Sequence, residues 1–356
     1  NETNNIIAFD SGYIKSRTAI IDANITTLIA AVILFGNFGV NEFDQVDVLN
    51  LYNGDSPSND IGELTLDRIK GLGMSNGTAI NGRIFEGGIG YIAFEELNVN
   101  LGVGDDKFTV NSTHSGITMI SGGVGNDQFE VLKTDGDLYI SGGSGNDSTY
   151  LARSFNGAVY GGGLLENIRS HFTFNGGDNQ DDEDKLYLDD SNGIRSEVGI
   201  VTASTVNGFG GEDDNNSYGL RQVVSVDAVS GTYRISLLGE KTVPIAYDAS
   251  EETFRNALEP ILNPNNTDNA KPHTSNFRVV KFGNDYHILM LGEHRDLEIR
   301  GIDIDDSSLN GKIDIERRGP GYGNEVAYYE VELMELHLGE GNDIVNVQGT
   351  SAVTDI

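Results

Sequence analysis

One unit of sequence occurs twice in this chain, and that limits the fold more than any other feature. The segment Asp47 to Met74 pairs without a gap with Asp184 to Gly211, at an offset of 137 residues. Asp47/Asp184, Leu49/Leu186, Leu51/Leu188, Gly62/Gly199, Thr65/Thr202, Gly71/Gly208 and Gly73/Gly210 are identical pairs, and Ile61/Val198, Leu64/Val201, Ile69/Val206 and Leu72/Phe209 keep their apolar character. The continuation, Tyr91 to Val110, matches Tyr328 to Val347 at the larger offset of 237. The second copy therefore carries an insertion, predicted over 222–317, with shaft segments at 1–221 and 318–356. A unit that repeats in this way stacks on its neighbours to bury its faces. The second copy breaks off in mid-unit at Ile356, so the repeat predicts that the parent polypeptide continues.

Within the unit, apolar residues alternate between glycine turns, as in Phe108/Val110, Phe129/Val131 and Leu138/Ile140. Alternation places every second side chain on one face of a short strand. No 3.6-residue stripe persists in these parts, which disfavours a helical array. Four turns share a composition: LGVGDDKFT at Leu101–Thr109, GGVGNDQFE at Gly122–Glu130, GGSGNDSTY at Gly142–Tyr150 and LGEGNDIVN at Leu338–Asn346. Asp106, Asp127 and Asp147 follow one another at 21 and 20 residues, the length of two strands and two turns. Glycines admit backbone conformations that turn carbonyl oxygens into a loop, and an aspartate adds a carboxylate, the all-oxygen shell that a hard cation prefers.

These loops resemble the G-G-x-G-x-D-x-U-x nonapeptide of RTX-type calcium-binding repeats, in which U is a large apolar residue. The resemblance implies a mainly β chain, a parallel β-helix or β-roll-like solenoid with a small α+β domain inserted. It implies Ca²⁺ held between stacked loops, with Gly102, Gly104, Asp106, Gly123, Gly125, Asp127, Gly143, Gly145 and Asp147 in the first copy and Gly339, Gly341 and Asp343 in the second. Three stacked loops give two sites, and the opposite turns near His114–Gly116 and Thr134–Gly136 lack the motif, so ions are expected along one edge only. Phe108 and Phe129 fit position U, whereas Thr149 does not. The acidic stretch Asn175–Asp190 reads as a widened version of the same turn, adding Asp178, Asp181 and Asp184 as candidate ligands. The longer unit also resembles repeats of giant extracellular proteins, which implies a filament, surface appendage or adhesin.

Charge agrees with a cation-binding role. Lys and Arg total 23 against 55 Asp and Glu, a formal net charge of −32, which disfavours nucleic acid and anionic membrane as partners. The longest apolar run, Leu28–Phe35, is far shorter than the ~20 residues of a membrane-spanning helix. With no Cys there is neither a disulfide framework nor a thiolate site.

The insertion reads differently. VVSVDAV and TYRISLL are strands joined at Ser230-Gly231, and TVPIAYD is a third. A helix follows, capped by Ser250, with Glu251 and Glu252 in its first turn and Phe254, Leu258, Ile261 and Leu262 on one face. Strands at 277–282 and 286–291 form a hairpin through Gly283-Asn284-Asp285, and a last strand covers 297–304. His287 and His294 have no metal-ligand spacing and read as structural or surface residues.

No Walker A loop, nucleophile elbow or dinucleotide fingerprint occurs. The reading is a non-enzymatic, calcium-stabilised structural segment at the cell surface, partnered by neighbouring copies or the continuation of the same repeat protein, with surface glycans a further partner class. The alternative is a carbohydrate-active or carbohydrate-binding β-helix of polysaccharide-lyase type, which needs a basic residue beside Ca²⁺; Arg153, Arg169 and Arg195 are the candidates. A Thr ladder for ice or mineral binding is not in register, since Thr109, Thr113, Thr118, Thr134 and Thr149 keep no 20-residue spacing. Seven Asn-x-Ser/Thr sequons occur, and Asn24, Asn76, Asn111 and Asn265 are the better glycosylation candidates because the one at Asn146 encloses Asp147.

Overall fold

The computed structural model describes residues 17–22, 32–35, 46–153, 162–177, 182–209, 221–267, 275–294, 302–318 and 325–356. The fold is mainly β, dominated by two ten-stranded sheets. From residue 96 the chain alternates between them. Glu96–Val103, Ile117–Val124, Leu138–Ser144 and Phe172–Asn175 lie in the first sheet, and Lys107–Val110, Gln128–Val131, Ser148–Leu151 and Lys185–Asp189 lie in the second. Neighbours within each sheet are parallel and in register, so Val99 meets Ile120, Ile120 meets Ile140 and Ile140 meets Phe174.

The alternating pattern becomes the core. Leu51, Val99, Ile120, Ile140, Phe174 and Tyr328 point inward from the first sheet, facing Val110, Phe129, Val131, Leu151, Leu186 and Leu188 from the second, all almost fully buried. The two copies of the repeat build the same details. Tyr91 donates to the Thr65 carbonyl at 2.7 Å, and its counterpart Tyr328 donates to the Thr202 carbonyl at 2.6 Å. Hairpin pairs Leu64/Ile69 and Val201/Val206 likewise correspond.

The second copy is displaced by half a circuit. Asp47–Tyr52 belongs to the first sheet, but the equivalent Lys185–Asp189 belongs to the second, and every later pair is exchanged in the same way. Features that leave one side of the stack in the first copy therefore leave the other side in the second. In the first copy a small hairpin, Gly77–Ile80 with Arg83–Glu86, emerges between Arg68–Gly71 and Ile89–Ile92. At the equivalent place in the second copy, between Thr205–Asn207 and Glu325–Tyr329, the chain leaves for the segment that contains a six-stranded sheet of its own.

That module spans Arg221–Arg318 and has a separate core of Val224, Tyr233, Ile235, Phe254, Leu258, Leu262, Val279, Tyr286 and Ile288. Its helix is Glu251–Leu262; Ser250 accepts from the Thr253 N–H, and Phe254, Ala257, Leu258 and Leu262 are buried. His294 caps the far end by contacting the Leu262 carbonyl at 3.0 Å. The expected turn at Ser230-Gly231 is not there. Arg221–Leu237 is one strand of 17 residues against Asp303–Arg318, with register shifts near Ala228/Ser230 and Thr232/Arg234. Gly231 permits this because its φ is +106° and a Cβ would stand 2.3 Å from the Ser308 carbonyl. TVPIAYD forms only the two-residue strand Ile245–Ala246, and the last strand begins at Asp303, residues 295–301 lying outside the described set. Among the described residues no helix is long and apolar enough to cross a membrane.

Candidate functional site: an aspartate ladder along one edge

The chain passes from the first sheet to the second through the glycine loops, and there the aspartates form a ladder. Each Asp accepts, through Oδ1, the backbone N–H of the Asp one circuit earlier. Asp60 N–H donates to Asp106 at 2.7 Å, Asp106 N–H to Asp127 at 2.8 Å, Asp127 N–H to Asp147 at 2.7 Å and Asp147 N–H to Asp184 at 2.7 Å. Glu332 closes the series by accepting from Asp184 N–H at 2.7 Å. A second ladder runs beside it one residue earlier: Asn126 N–H to Asp105, Asn146 N–H to Asn126 and Glu183 N–H to Asn146, each 2.8 Å. This explains the Asn-Asp pair in the motif, since each member serves a different rail.

The other carboxylate oxygen has different surroundings. Oδ2 of Asp106, Asp127, Asp147 and Asp184 is buried and has no hydrogen-bond partner among the described residues. In three loops it lies against the glycine that opens the turn: a Cβ on Gly122, Gly142 or Gly176 would be 2.2, 2.2 and 2.3 Å from Oδ2 of Asp127, Asp147 and Asp184. A backbone carbonyl reaches the same spot, since the Gly122 Cβ would also be 2.6 Å from Gly142 O and the Gly176 Cβ 2.1 Å from Glu330 O. Side-chain-free glycine thus leaves a cradle edged by one carboxylate oxygen and one carbonyl. The later glycines make the stacking possible, for Gly123 and Gly143 have φ of +111° and +115° and a Cβ on either would be 2.1 Å from the glycine carbonyl of the previous circuit.

Removing carboxylates from water raises their proton affinity. Burial pushes Asp127 up to about 7, Asp147 to about 8 and Asp184 to about 6, and raises Asp106 as well. The backbone N–H bond to each opposes this, while neighbouring acids reinforce it. Among the described residues no group of three His, Asp or Glu side chains surrounds one point. The acids are distributed one to a circuit, so a cation here would take one carboxylate oxygen from a rung and draw the remainder from carbonyls, a donor set that suits a hard ion.

Asp106, Asp127, Asp147 and Asp184 are thus brought together, while Asp178 and Asp181 lie outside the described residues. Asp343 is not on this edge. The half-circuit displacement puts its loop, between Leu333–His337 of the second sheet and Ile344–Val347 of the first, on the opposite side, so the four loops do not share one edge. There Glu197 N–H donates to Asp343 Oδ1 at 3.0 Å, as Asp60 N–H does to Asp106 in the first copy. The two copies differ beside it. Asp60 Oδ2 receives Asn53 Nδ2 and Ser56 Oγ, both at 2.7 Å, whereas Asp190 and Gly193 replace those donors next to Glu197. Burial, then Asp190 and Asp343, push Glu197 up to about 7.

Sequence reasoning missed Asp60 and Glu332 on the ladder and Asp190 and Glu197 opposite; the Asn59-Asp60 pair was the available signal for the first. Thr149, the misfit at position U, is fully buried between Phe129 and Leu186, and among the described residues its hydroxyl has no partner. Thr149→Val keeps the shape and removes that buried hydroxyl, so denaturant unfolding is expected to show a gain of roughly 1–2 kcal/mol.

The three arginines weighed for catalysis stand in separate settings. Arg153 lies over the Tyr150 and Tyr187 rings at 5.1 and 5.8 Å, Arg169 is 3.8 Å from Asp135, and Arg195 is 3.0 Å from Glu166. No family model, curated protein or solved structure matches the chain.

Proposed function

We propose that this chain is a calcium-stabilised, non-enzymatic structural segment of a large extracellular filament, appendage or adhesin, with its two stacked sheets forming a β-solenoid shaft. One observation carries the reading: four successive aspartates, Asp106 to Asp184, each tie two circuits together through Oδ1, while Oδ2 of each is buried and without a partner among the described residues, in the last three against a glycine cradle. A buried anion without a partner is costly, and a cation between circuits relieves that cost. Asp106, Asp127, Asp147 and Asp184 would supply carboxylate oxygen, and the loops of Gly102, Gly123 and Gly143 would supply carbonyls. Calcium there would neutralise stacked charge and lock the circuits in register. Asp343, with Asp190 and Glu197, would begin a comparable series on the opposite edge.

Stacked circuits make a rod, since each unit contacts only its neighbours. Ten strands at about 4.8 Å spacing give a shaft of roughly 45 Å from this chain alone. Its partners would be further circuits of the same repeat, and exposed Asn76 is the sequon best placed for a glycan. Negative-stain imaging of the assembled protein in calcium is expected to show rods or fibres. Compact, monodisperse particles would contradict the structural role, whereas acidic-polysaccharide cleavage abolished by an Arg153, Arg169 or Arg195 substitution would establish the lyase alternative.

A further inference from the structure

The module rests on the outer face of the first sheet, across an apolar rim that encloses a polar centre. Phe282 stacks on Tyr139 and on Tyr329, with ring centroids 6.1 and 5.2 Å apart, and Leu289 and Leu291 pack with Val46 and Ile117. Arg278 reaches Glu96 at the rim, 3.8 Å away. Inside, Glu325 of the shaft meets a cation from the module, Arg221 Nη2, at 3.4 Å. Asp137 and Tyr139 of the shaft also act electrostatically on Arg221. The imidazole of His171, on the shaft, stands 3.9 Å from the same Glu325 oxygen that Arg221 approaches. His287 of the module lies 6.0 Å from His171, ring to ring.

The hydrogen bonds give the two histidines different parts. Tyr329 donates its hydroxyl proton to Asp285 Oδ2 at 3.0 Å, so it accepts from His287 Nε2 at 3.1 Å. His287 therefore plays a fixed donor role within the contact. His171 contacts Thr173 Oγ1 through Nε2 at 2.6 Å and presents Nδ1 to the Glu325 carboxylate, for which a protonated imidazole and Arg221 compete.

We propose that this contact is an acid-released latch, in which protonation of His171 displaces Arg221 from Glu325 and frees the module from the shaft. Docking changes the surroundings of His171 in two ways, and both favour the neutral ring. It buries the imidazole, and it brings a permanent cation, Arg221, to the carboxylate beside it. Undocked, His171 keeps Glu325 and Asp137 on its own sheet and faces water, surroundings that favour the protonated ring. The docked state thus binds the proton less well than the free state. Docking therefore weakens as pH falls, by up to tenfold per pH unit for one proton. Unlike the calcium reading, this inference does not depend on the aspartate ladder.

The chain has no Cys, so a spin-label pair can be placed at exposed Val243→Cys in the module and Val198→Cys in the shaft. Distances would be measured from pH 8 to pH 5 in saturating calcium, to hold the ladder constant. A single docked distance at pH 8 is expected, with a second, broader population growing below about pH 6. His171→Gln should stay docked throughout, His171→Arg should be released even at pH 8, and His287→Gln should still respond to acid. An NMR titration of wild-type His171 gives an independent readout, because the docked ring should titrate below its value in the His-containing shaft after release. An unchanged distance across the pH range, acid release persisting in His171→Gln, or a docked His171 that keeps its proton above pH 7 would overturn the proposal.

Discussion

Asp127→Asn should stabilise the calcium-free protein and shrink the extra stability that calcium adds. The substituted side chain keeps an oxygen to accept the Asp106 N–H, now made at 2.8 Å, so the rail survives. In place of the unpartnered Oδ2 it presents an amide donor to the cradle that Gly142 O edges. Removing a buried, unpaired acceptor is worth roughly 1–3 kcal/mol without calcium. The same change deletes an anionic ligand, and calcium affinity should fall at least tenfold, about 1.4 kcal/mol. Asp127→Ala behaves differently, because it leaves the Asp106 N–H without its acceptor and so costs roughly 1–3 kcal/mol in both states. Urea unfolding of the three proteins, with calcium and with chelator, reads these signs directly. If Asp127→Asn is destabilised equally in both, the cradle is merely a turn.

The pH dependence of the calcium-free protein follows from the same residues. Asp184, Asp127 and Asp147 bind protons up to about 6, 7 and 8 in the folded chain, because burial raises them, whereas an unfolded aspartate titrates near 4. A folded value above the unfolded one means that the folded chain holds the extra protons. Stability is then fully present at pH 4 and is lost as pH rises through 6 to 8. Without calcium the shaft should melt at a lower temperature at pH 8 than at pH 5, the reverse of ordinary acid denaturation. Calcium needs the deprotonated carboxylates, so its stabilisation should grow over the same window and its binding should release protons. A calcium-free melting temperature that rises from pH 5 to pH 8 would contradict this assignment of the buried acids.

Much of this arrangement was legible in the sequence, for identifiable reasons. Side-chain alternation has a fixed period, so the strands of Phe108, Phe129 and Leu138 could be placed, and Ser250 with its acidic first turn marked the helix. The ladder was legible only where successive circuits have equal length, as from Asp106 to Asp147. Asp60 and Glu332 escaped because the chain makes detours of 46 and 148 residues before stacking on the next rung. The half-circuit displacement escaped too, since offsets of 137 and 237 count residues and say nothing of which sheet a strand joins. Ser230-Gly231 misled for the opposite reason: a pair that suits a tight turn also suits a bulge in a long ribbon, and the partner strand, 80 residues on, decides between them. His287 resembled any strand histidine until sheet packing placed His171 opposite it.

Differential scanning calorimetry at pH 8, with excess calcium and with EDTA, tests most directly whether calcium holds the circuits together. A ligand at a thousandfold excess over its dissociation constant stabilises by about 4 kcal/mol per site. At roughly 2–4 °C per kcal/mol for a body of this size, one such site raises the shaft transition by about 8–16 °C. The module, with its own core around Phe254 and Tyr286, should melt at much the same temperature in both conditions. A shaft transition that calcium moves upward while the module's stays put is the predicted result, and a scan indifferent to EDTA would contradict the calcium-bound ladder.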